Sequence, residues 1–289
     1  MEKKRILVTG SKGKFVTYFR HYIENHYSDI SFEFVSLRGE DWKIIDFENY
    51  DSVIHCAGIT SAPNDDYNEF YKVNVELTRE LFNKVVGTRA KHFVYLSSMA
   101  VYDGIGWGFG KEGLVTKDTI PVQKTNYGRS KFEAEEAIGA VENLETKVAI
   151  VRAPSIVGGG LEAYFDRYMR FSRIPFVSVP TIHLEAKRSF VFIDTLIDYL
   201  CSLSIERREG VFFPQNYPQM SVSEMLFEVC AASGNPKRMG SWGKILPKTI
   251  KKRFFSQICY DKGLSDAYIF DGISSKEAIK RTVTESRKG

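Results

Sequence analysis

Arg5-Ile6-Leu7-Val8-Thr9 is a short apolar run that passes directly into Gly10-Ser11-Lys12-Gly13-Lys14-Phe15-Val16, with helical spacing over about 13–26. A buried strand, a glycine turn and a helix in that order form the first half of a βαβ unit, and this constrains the chain more than any other feature. The alternation then continues. Residues 31–36 carry Phe32, Phe34 and Val35 and read as a second strand, and 52–56 is a third apolar run that ends in Ala57-Gly58. Residues 66–86 have helical spacing, with Phe70, Val73, Leu77, Leu81, Phe82 and Val85 on one side. A strand at 92–96, a helix over 126–142 and a strand at 148–151 complete the series. Such alternation predicts an α/β fold, a doubly wound parallel sheet with helices on both faces.

After Arg152 the texture changes, because Gly158-Gly159-Gly160, Pro175, Pro180, Pro214, Pro218 and Pro236 cut the chain into shorter pieces. The expected organisation is a cofactor-type domain over 1–152, with about 188–212 returning to it. A smaller α/β lobe is expected from 153–187 and 213–289. Within the return, 189–193 reads as a strand rejoining the main layer. A length of 289 residues suits one large domain with such a lobe.

Charge and cysteine usage narrow the function classes. A net charge of +4 is too small and too mixed to argue for nucleic-acid binding. Cys56, Cys201, Cys230 and Cys259 are scattered, with no Cys-x-x-Cys pair, which argues against a zinc site and suits a reducing compartment. Met1-Glu2-Lys3-Lys4-Arg5 leads into the first strand without a signal-type apolar stretch, and no apolar run approaches the ~18 residues of a membrane span. A cytoplasmic protein without a metal is the expectation.

Four stretches carry chemistry. Gly10 and Gly13 allow close backbone approach to a pyrophosphate facing the helix N-terminus, and Lys12, Lys14 and Phe15 lie in the same turn; a plain strand-to-helix turn would look similar. The second strand ends in Val35-Ser36-Leu37-Arg38, without the carboxylate that binds ribose hydroxyls in NAD sites. Ser36 and Arg38 would suit a ribose 2′-phosphate, hence NADP, or Arg38 is an exposed loop residue. Ser97-Ser98 follows the strand at 92–96, at the sheet end where ligands bind, although serines there often only cap a turn. Tyr127 and Lys131 are four apart, on one helix face. The lysine charge is expected to draw the phenol's pKa down from roughly 10, making Tyr127 a proton donor or acceptor. With fifteen tyrosines and 26% charged residues, that spacing alone also arises by chance.

Taken in order, these stretches resemble the extended short-chain dehydrogenase/reductases, in their nucleotide-sugar (NAD-dependent) epimerase/dehydratase branch. The matching pieces are Thr9-Gly10-x-x-Gly13, His55-Cys56-Ala57-Gly58, Asn74-Val75, the run from Val94 to Tyr102, and Tyr127-Gly128-Arg129-Ser130-Lys131 with Pro121 upstream. Val151-Arg152-Ala153-Pro154 with Gly158 and Arg188-Ser189-Phe190-Val191-Phe192-Ile193-Asp194 follow. The resemblance implies a Rossmann-type sheet with a substrate lobe, NAD or NADP as cofactor, and a nucleotide-diphosphate sugar as substrate. It implies that Ser98, Tyr127 and Lys131 are catalytic, with Lys131 also on the nicotinamide ribose, and that Gly10, Gly13, Ala57 and Gly58 line the cofactor. Met99, Ser155 and Arg188 would meet the substrate along with Ser98, Arg188 at the diphosphate. The stretch after Gly210 is similar to a subgroup of bacterial cell-surface polysaccharide proteins, and relatives often form homodimers through their long helices.

The departures also inform. Val16 stands where a third glycine is usual, Ser155 stands where the family often has asparagine, and Met99-Ala100 replaces the Asp-Glu pair of 4,6-dehydratases. An epimerase or a 4-keto-sugar reductase is therefore expected ahead of a dehydratase, and a non-catalytic NADP-binding regulator is the alternative. From Asn235 to Tyr260 there are seven lysines or arginines and no acid. That segment reads as a solvated basic face, a wall for an anionic substrate or, less readily, a membrane-surface contact.

Overall fold

The structure is a computed structural model and describes residues 3–105, 113–142, 145–161, 165–255, 257–265 and 272–286. The chain divides into two compact units. The first comprises Met1–Gly104, Pro121–Ala153 and Ile197–Phe212, and the second Ile105–Ile120, Pro154–Leu196 and Phe213–Gly289. Two features differ from the expected organisation. Residues 105–120 group with the second unit, and the returning segment starts at Ile197 rather than near 188.

The first unit is built on β1 (Lys4–Thr9), β2 (Ile30–Val35), β3 (Ser52–His55) and β4 (His92–Ser98). After β5 (Leu114–Val115) of the second unit come β6 (Lys147–Ala153) and, much later, β11 (Gly210–Phe212). The sheet order is β11-β6-β4-β3-β1-β2, and every pairing is parallel. Parallel strands buried on both faces read as near-continuous apolar runs, as Ile6-Leu7-Val8 and Phe93-Val94-Tyr95 do. The sheet packs against helices α1 (Lys14–His26), α3 (Leu77–Val85) and α4 (Asn126–Gly139), after the short helix α2 (Tyr67–Phe70). Leu7, Trp42, Val53, Leu81, Phe82, Phe93, Tyr95, Ala134 and Ile138 form one buried cluster. Each large apolar side chain in it contributes about 1.5–3 kcal/mol.

The second unit contains several two-stranded pairings. β7 (Ser155–Val157), β8 (Val179–Pro180), β9 (Lys187–Arg188) and β10 (Phe190–Phe192) belong to it. The expected strand at 189–193 is thus present as β10, but it pairs with β7 and not with the main layer. The sixth main-sheet strand is instead β11, whose register on β6 sets Val211 beside Ile150. Among the described residues no helix is long and apolar enough to cross a membrane.

The stretch 66–86 does not form one α-helix. Its first turn is α2, capped by the Asp66 carboxylate accepting from Asn68 N at 3.0 Å, and a π-turn over Tyr71–Glu76 widens the chain before α3. Single π-turns inside helices often mark functional positions, because the widened turn re-aims side chains. Here Asn74 lies in it, 1% exposed.

Candidate functional site

The C-terminal end of β4 and the start of α4 place Ser98, Tyr127 and Lys131 together. Ser98 ends β4, and its Oγ accepts from Ala100 N at 3.1 Å, capping the 3-10 turn Met99–Tyr102. The Thr125 hydroxyl starts α4 by accepting from Gly128 N at 3.0 Å. The Asp103 carboxylate, immediately after that 3-10 turn, accepts from Lys124 N, Thr125 N and the Thr125 hydroxyl. One carboxylate thus sets the entry of α4 relative to Ser98.

Tyr127 is half-buried and hydrogen-bonded to Ser98. Burial raises its pKa, and the Ser98 contact opposes that rise. Either hydroxyl can donate in this pair, and a Ser98 O–H donated to the phenol oxygen would stabilise the phenolate. The expectation that Lys131 draws Tyr127 down is not met. The Lys131 ammonium turns away, donating to Leu96 O at 2.7 Å and lying 4.2 Å from the centre of the Tyr95 ring. Lys131 is 5% exposed, and burial lowers its pKa to about 8 against the opposing pull of Glu135 and Cys56.

The glycine turn lies on the same unit. Gly10 has φ +92°, and a Cβ on it would lie 2.9 Å from Ala57 N, so only glycine lets the turn close on the chain leaving β3. Gly13 N donates to Gly10 O at 2.8 Å, and no side chain caps the N-terminus of α1 at Gly13. Lys12 and Lys14 are exposed, while Phe15 meets Phe19 edge-on with ring centres 6.0 Å apart. Val16 is 2% exposed, so the third-glycine position is filled by an apolar side chain in the core. Gly58 stands over Lys131 and Asn74: a Cβ there would lie 3.0 Å from Asn74 Oδ1 and 3.9 Å from Lys131 Nζ. After β2, the Ser36 hydroxyl accepts from Arg38 N at 3.2 Å and Arg38 is exposed.

Beneath these residues runs a hydrogen-bond chain that spacing alone does not announce. Thr78 Oγ1 donates to Asn74 O at 2.7 Å, which commits its only proton. The His55 Nε2 contact to Thr78 Oγ1, at 2.8 Å, is therefore donated by the imidazole. His55 Nδ1 then accepts from the Thr9 hydroxyl at 2.7 Å, and Thr9 Oγ1 accepts from Ala57 N at 3.3 Å. Burial, followed by the Lys131 charge, lowers the His55 pKa to about 3, so the ring is neutral and its tautomer is set. The Asn74 side chain bonds both Ile59 N and Ile59 O and donates to Ser130 Oγ at 2.9 Å, and that serine donates to Tyr127 O. The glycine turn, the Ala57-Gly58 loop and the Tyr127 helix are thus one connected unit. His55 and Asn74 stood among the matching motifs without a role; the signal that would have raised them is a buried polar residue inside an otherwise apolar element.

The remaining expected substrate residues divide between the units. Met99 is 6% exposed at the start of its 3-10 turn. Ser155 is an exposed residue opening β7, and Arg188 closes β9 half-buried in the second unit, with its charge acting on the Tyr168 hydroxyl. Within the basic segment, the Lys237 ammonium bonds Ile174 O and that of Lys251 bonds Lys244 O, so two of its cations are taken up by backbone carbonyls. The side chains of Lys252 and Arg253 lie outside the described residues. No cluster able to hold a metal ion is found among the described residues.

A family model of NAD-binding proteins, described as Male sterility protein, matches residues 4–187, well over half of the chain. The chain belongs to the extended short-chain dehydrogenase/reductases. Similarity to individual members of this superfamily runs over most of the length. A UDP-glucose 4-epimerase of Vibrio cholerae is 27% identical over 259 residues, covering 81% of this chain and 77% of that protein. Among solved structures, the UDP-glucuronic acid 4-epimerase of Bacillus cereus in complex with NAD superposes with a TM-score of 0.69 at 17% identity, covering 98% of this chain and 99% of that one. The dTDP-4-dehydrorhamnose reductase of Bacillus anthracis in complex with NADP gives 0.68 at 18% identity, covering 98% and 100%. Both structures share the extended short-chain dehydrogenase/reductase fold with this chain.

Proposed function

We propose that the chain is a nucleotide-diphosphate-sugar epimerase or 4-keto-sugar reductase that uses NAD or NADP and acts at a sugar hydroxyl or keto carbon, C4 in the first instance. The observation that carries this reading is the contact of Ser98 with the half-buried Tyr127, one helical turn from the buried Lys131. The glycine turn fits a dinucleotide: the bare α-carbon of Gly10 closes on Ala57, and the uncapped start of α1 offers backbone N–H groups to an anion. A bound nicotinamide dinucleotide would supply or accept the hydride. Gly10, Gly13, Ala57 and Gly58 would hold it, with Lys12, Lys14 and Phe15 at the turn. Ser36 and Arg38, with no carboxylate beside them, favour NADP over NAD.

The protein's own residues account for the proton. A phenol kept protonated by burial can donate to a carbonyl oxygen, with the Ser98 hydroxyl easing the negative charge left on Tyr127. Lys131, one helical turn away, would meet the nicotinamide ribose. Met99, Ser155 and Arg188 are proposed to meet the sugar nucleotide, Arg188 because a guanidinium suits a diphosphate. The sequence character after Gly210 supports a place in cell-surface polysaccharide synthesis; the scattered cysteines support the cytoplasm, and the habit of relatives to pair through their long helices supports a homodimer.

The test uses dialysed protein and a panel of UDP- and dTDP-sugars with their 4-keto forms. Consumption of reduced cofactor identifies the reductase, and inversion at C4 with cofactor retained identifies the epimerase. Tyr127→Phe should lower turnover at least 100-fold while leaving cofactor binding nearly unchanged. Cofactor binding without turnover of any sugar, or full activity in Tyr127→Phe, would refute the reading.

A further inference from the structure

Glu135 sits one helical turn beyond Lys131, as Lys131 sits one turn beyond Tyr127, so the three share a face of α4. It is a buried carboxylate, 5% exposed, gripped by the Arg152 guanidinium of β6: Nε lies 3.2 Å from both carboxylate oxygens and Nη2 lies 2.6 Å from Oε2. The Ser97 hydroxyl of β4, next to Ser98, donates to Oε1, and Arg152 also donates to the Tyr102 hydroxyl. Strand β4, strand β6, the 3-10 turn and helix α4 therefore meet on one ion pair.

We propose that Glu135 is a positioning residue of the reacting centre: it keeps the Lys131 ammonium charged and ties the Ser98 end of β4 to the helix that carries Tyr127. This deepens the reading of Lys131 given above and rests on it. Burial pulls Lys131 towards its neutral form. The groups that bear on its ammonium are His55 and Cys56 at the end of β3, Asn74 in the π-turn, Tyr95 on β4 and Glu135 on its own helix, with Tyr127 one turn along that helix. His55 is neutral, and burial pushes the Cys56 thiol up to about 12. Tyr95 and Tyr127 are also held in their neutral forms by burial. Glu135 is thus the one formal negative charge in this set. Arg152 has the complementary task of pairing with Glu135 inside the protein, where an unpartnered charge is costly.

The experiment reads the Lys131 proton without turnover. An unfolded lysine titrates near 10.4, so stability rises with pH above the folded pKa, where the unfolded chain binds the extra proton. In Glu135→Gln that rise should begin at least one pH unit lower than in the parent. For a drop of one unit, the unfolding constants of variant and parent, from urea titrations, should therefore converge by about threefold between pH 7 and 8, approaching about tenfold over pH 6 to 9. A gap independent of pH would overturn the proposal and leave a purely structural ion pair. If Glu135→Gln does not fold, the double variant Glu135→Gln/Arg152→Met, which buries no unpaired charge, is measured in the same way with the same two outcomes. Glu135→Asp, which keeps the charge, should keep the parent's pH dependence. Activity surviving in Tyr127→Phe would refute the catalytic reading alone and leave this measurement standing.

Discussion

Gly128 packs its bare α-carbon against the carbonyl oxygen of Ala100, so closely that a methyl group there would clash with that oxygen and lie 3.0 Å from Asp103 Oδ2. The residue beside Tyr127 is therefore the point at which α4 touches the Ser98 turn. Gly128→Ala should destabilise the protein by about 1–3 kcal/mol, despite the better helix propensity of alanine. It should also lower turnover more than cofactor affinity, because it pushes Tyr127 away from Ser98. Gly139→Ala, at the far end of the same helix with nothing within 4 Å, should be neutral or slightly stabilising. Thermal unfolding of the two variants decides, and equal stabilities would refute the close approach.

The glycine turn makes a second ranking. Gly10→Ala meets both a left-handed backbone and Ala57 N, whereas Gly13 has φ outside that region and only Gly10 O at 3.2 Å nearby. Gly10→Ala should cost about 1–3 kcal/mol and abolish dinucleotide binding, with Gly13→Ala milder in stability. Gly39→Ala, at φ +78° with open space around it, isolates backbone strain from contact. NADPH fluorescence titrations together with urea midpoints separate the three.

Acid should unfold the protein partly through two buried histidines. Burial lowers His92 to about 4 and His55 to about 3. Both fall below the unfolded value of about 6.5, so the unfolded chain binds more protons as pH drops through 6.5 and stability falls. The two together approach about 2.7 kcal/mol per pH unit near pH 5, above the range where most carboxylates titrate. His92 bonds Ser52 Oγ and Arg208 O, away from the glycine turn, so His92→Gln should remove about half of that slope and spare cofactor binding. Unfolding free energies at pH 5, 6 and 7 test this, and an unchanged slope would refute it.

Much of the first unit is legible in the sequence because parallel strands buried on both faces announce themselves as apolar runs. Strands were expected at 31–36, 92–96 and 148–151, and β2, β4 and β6 lie at Ile30–Val35, His92–Ser98 and Lys147–Ala153. The π-turn around Asn74 was not legible, since Phe70, Val73 and Leu77 keep helical spacing through it. Strand β11 was missed for another reason. Gly210-Val211-Phe212 is too short to carry a period, and its place beside β6 is settled by pairing across the sheet.

The site divides in the same way. The Tyr127–Lys131 spacing, the Gly10–Gly13 turn and the position of Ser98 at a strand end are local features, and local sequence determined them through helix geometry and backbone sterics. The electrical state of the centre belongs to the tertiary structure. A phenol pushed up, an ammonium lowered to about 8 and a neutral His55 all follow from burial and from neighbours far apart in the chain: Leu96 O, the Tyr95 ring, Thr9, Thr78 and Glu135 with Arg152. Charge energies depend on distance and on the exclusion of water, and neither is defined until the strands and α4 are packed together.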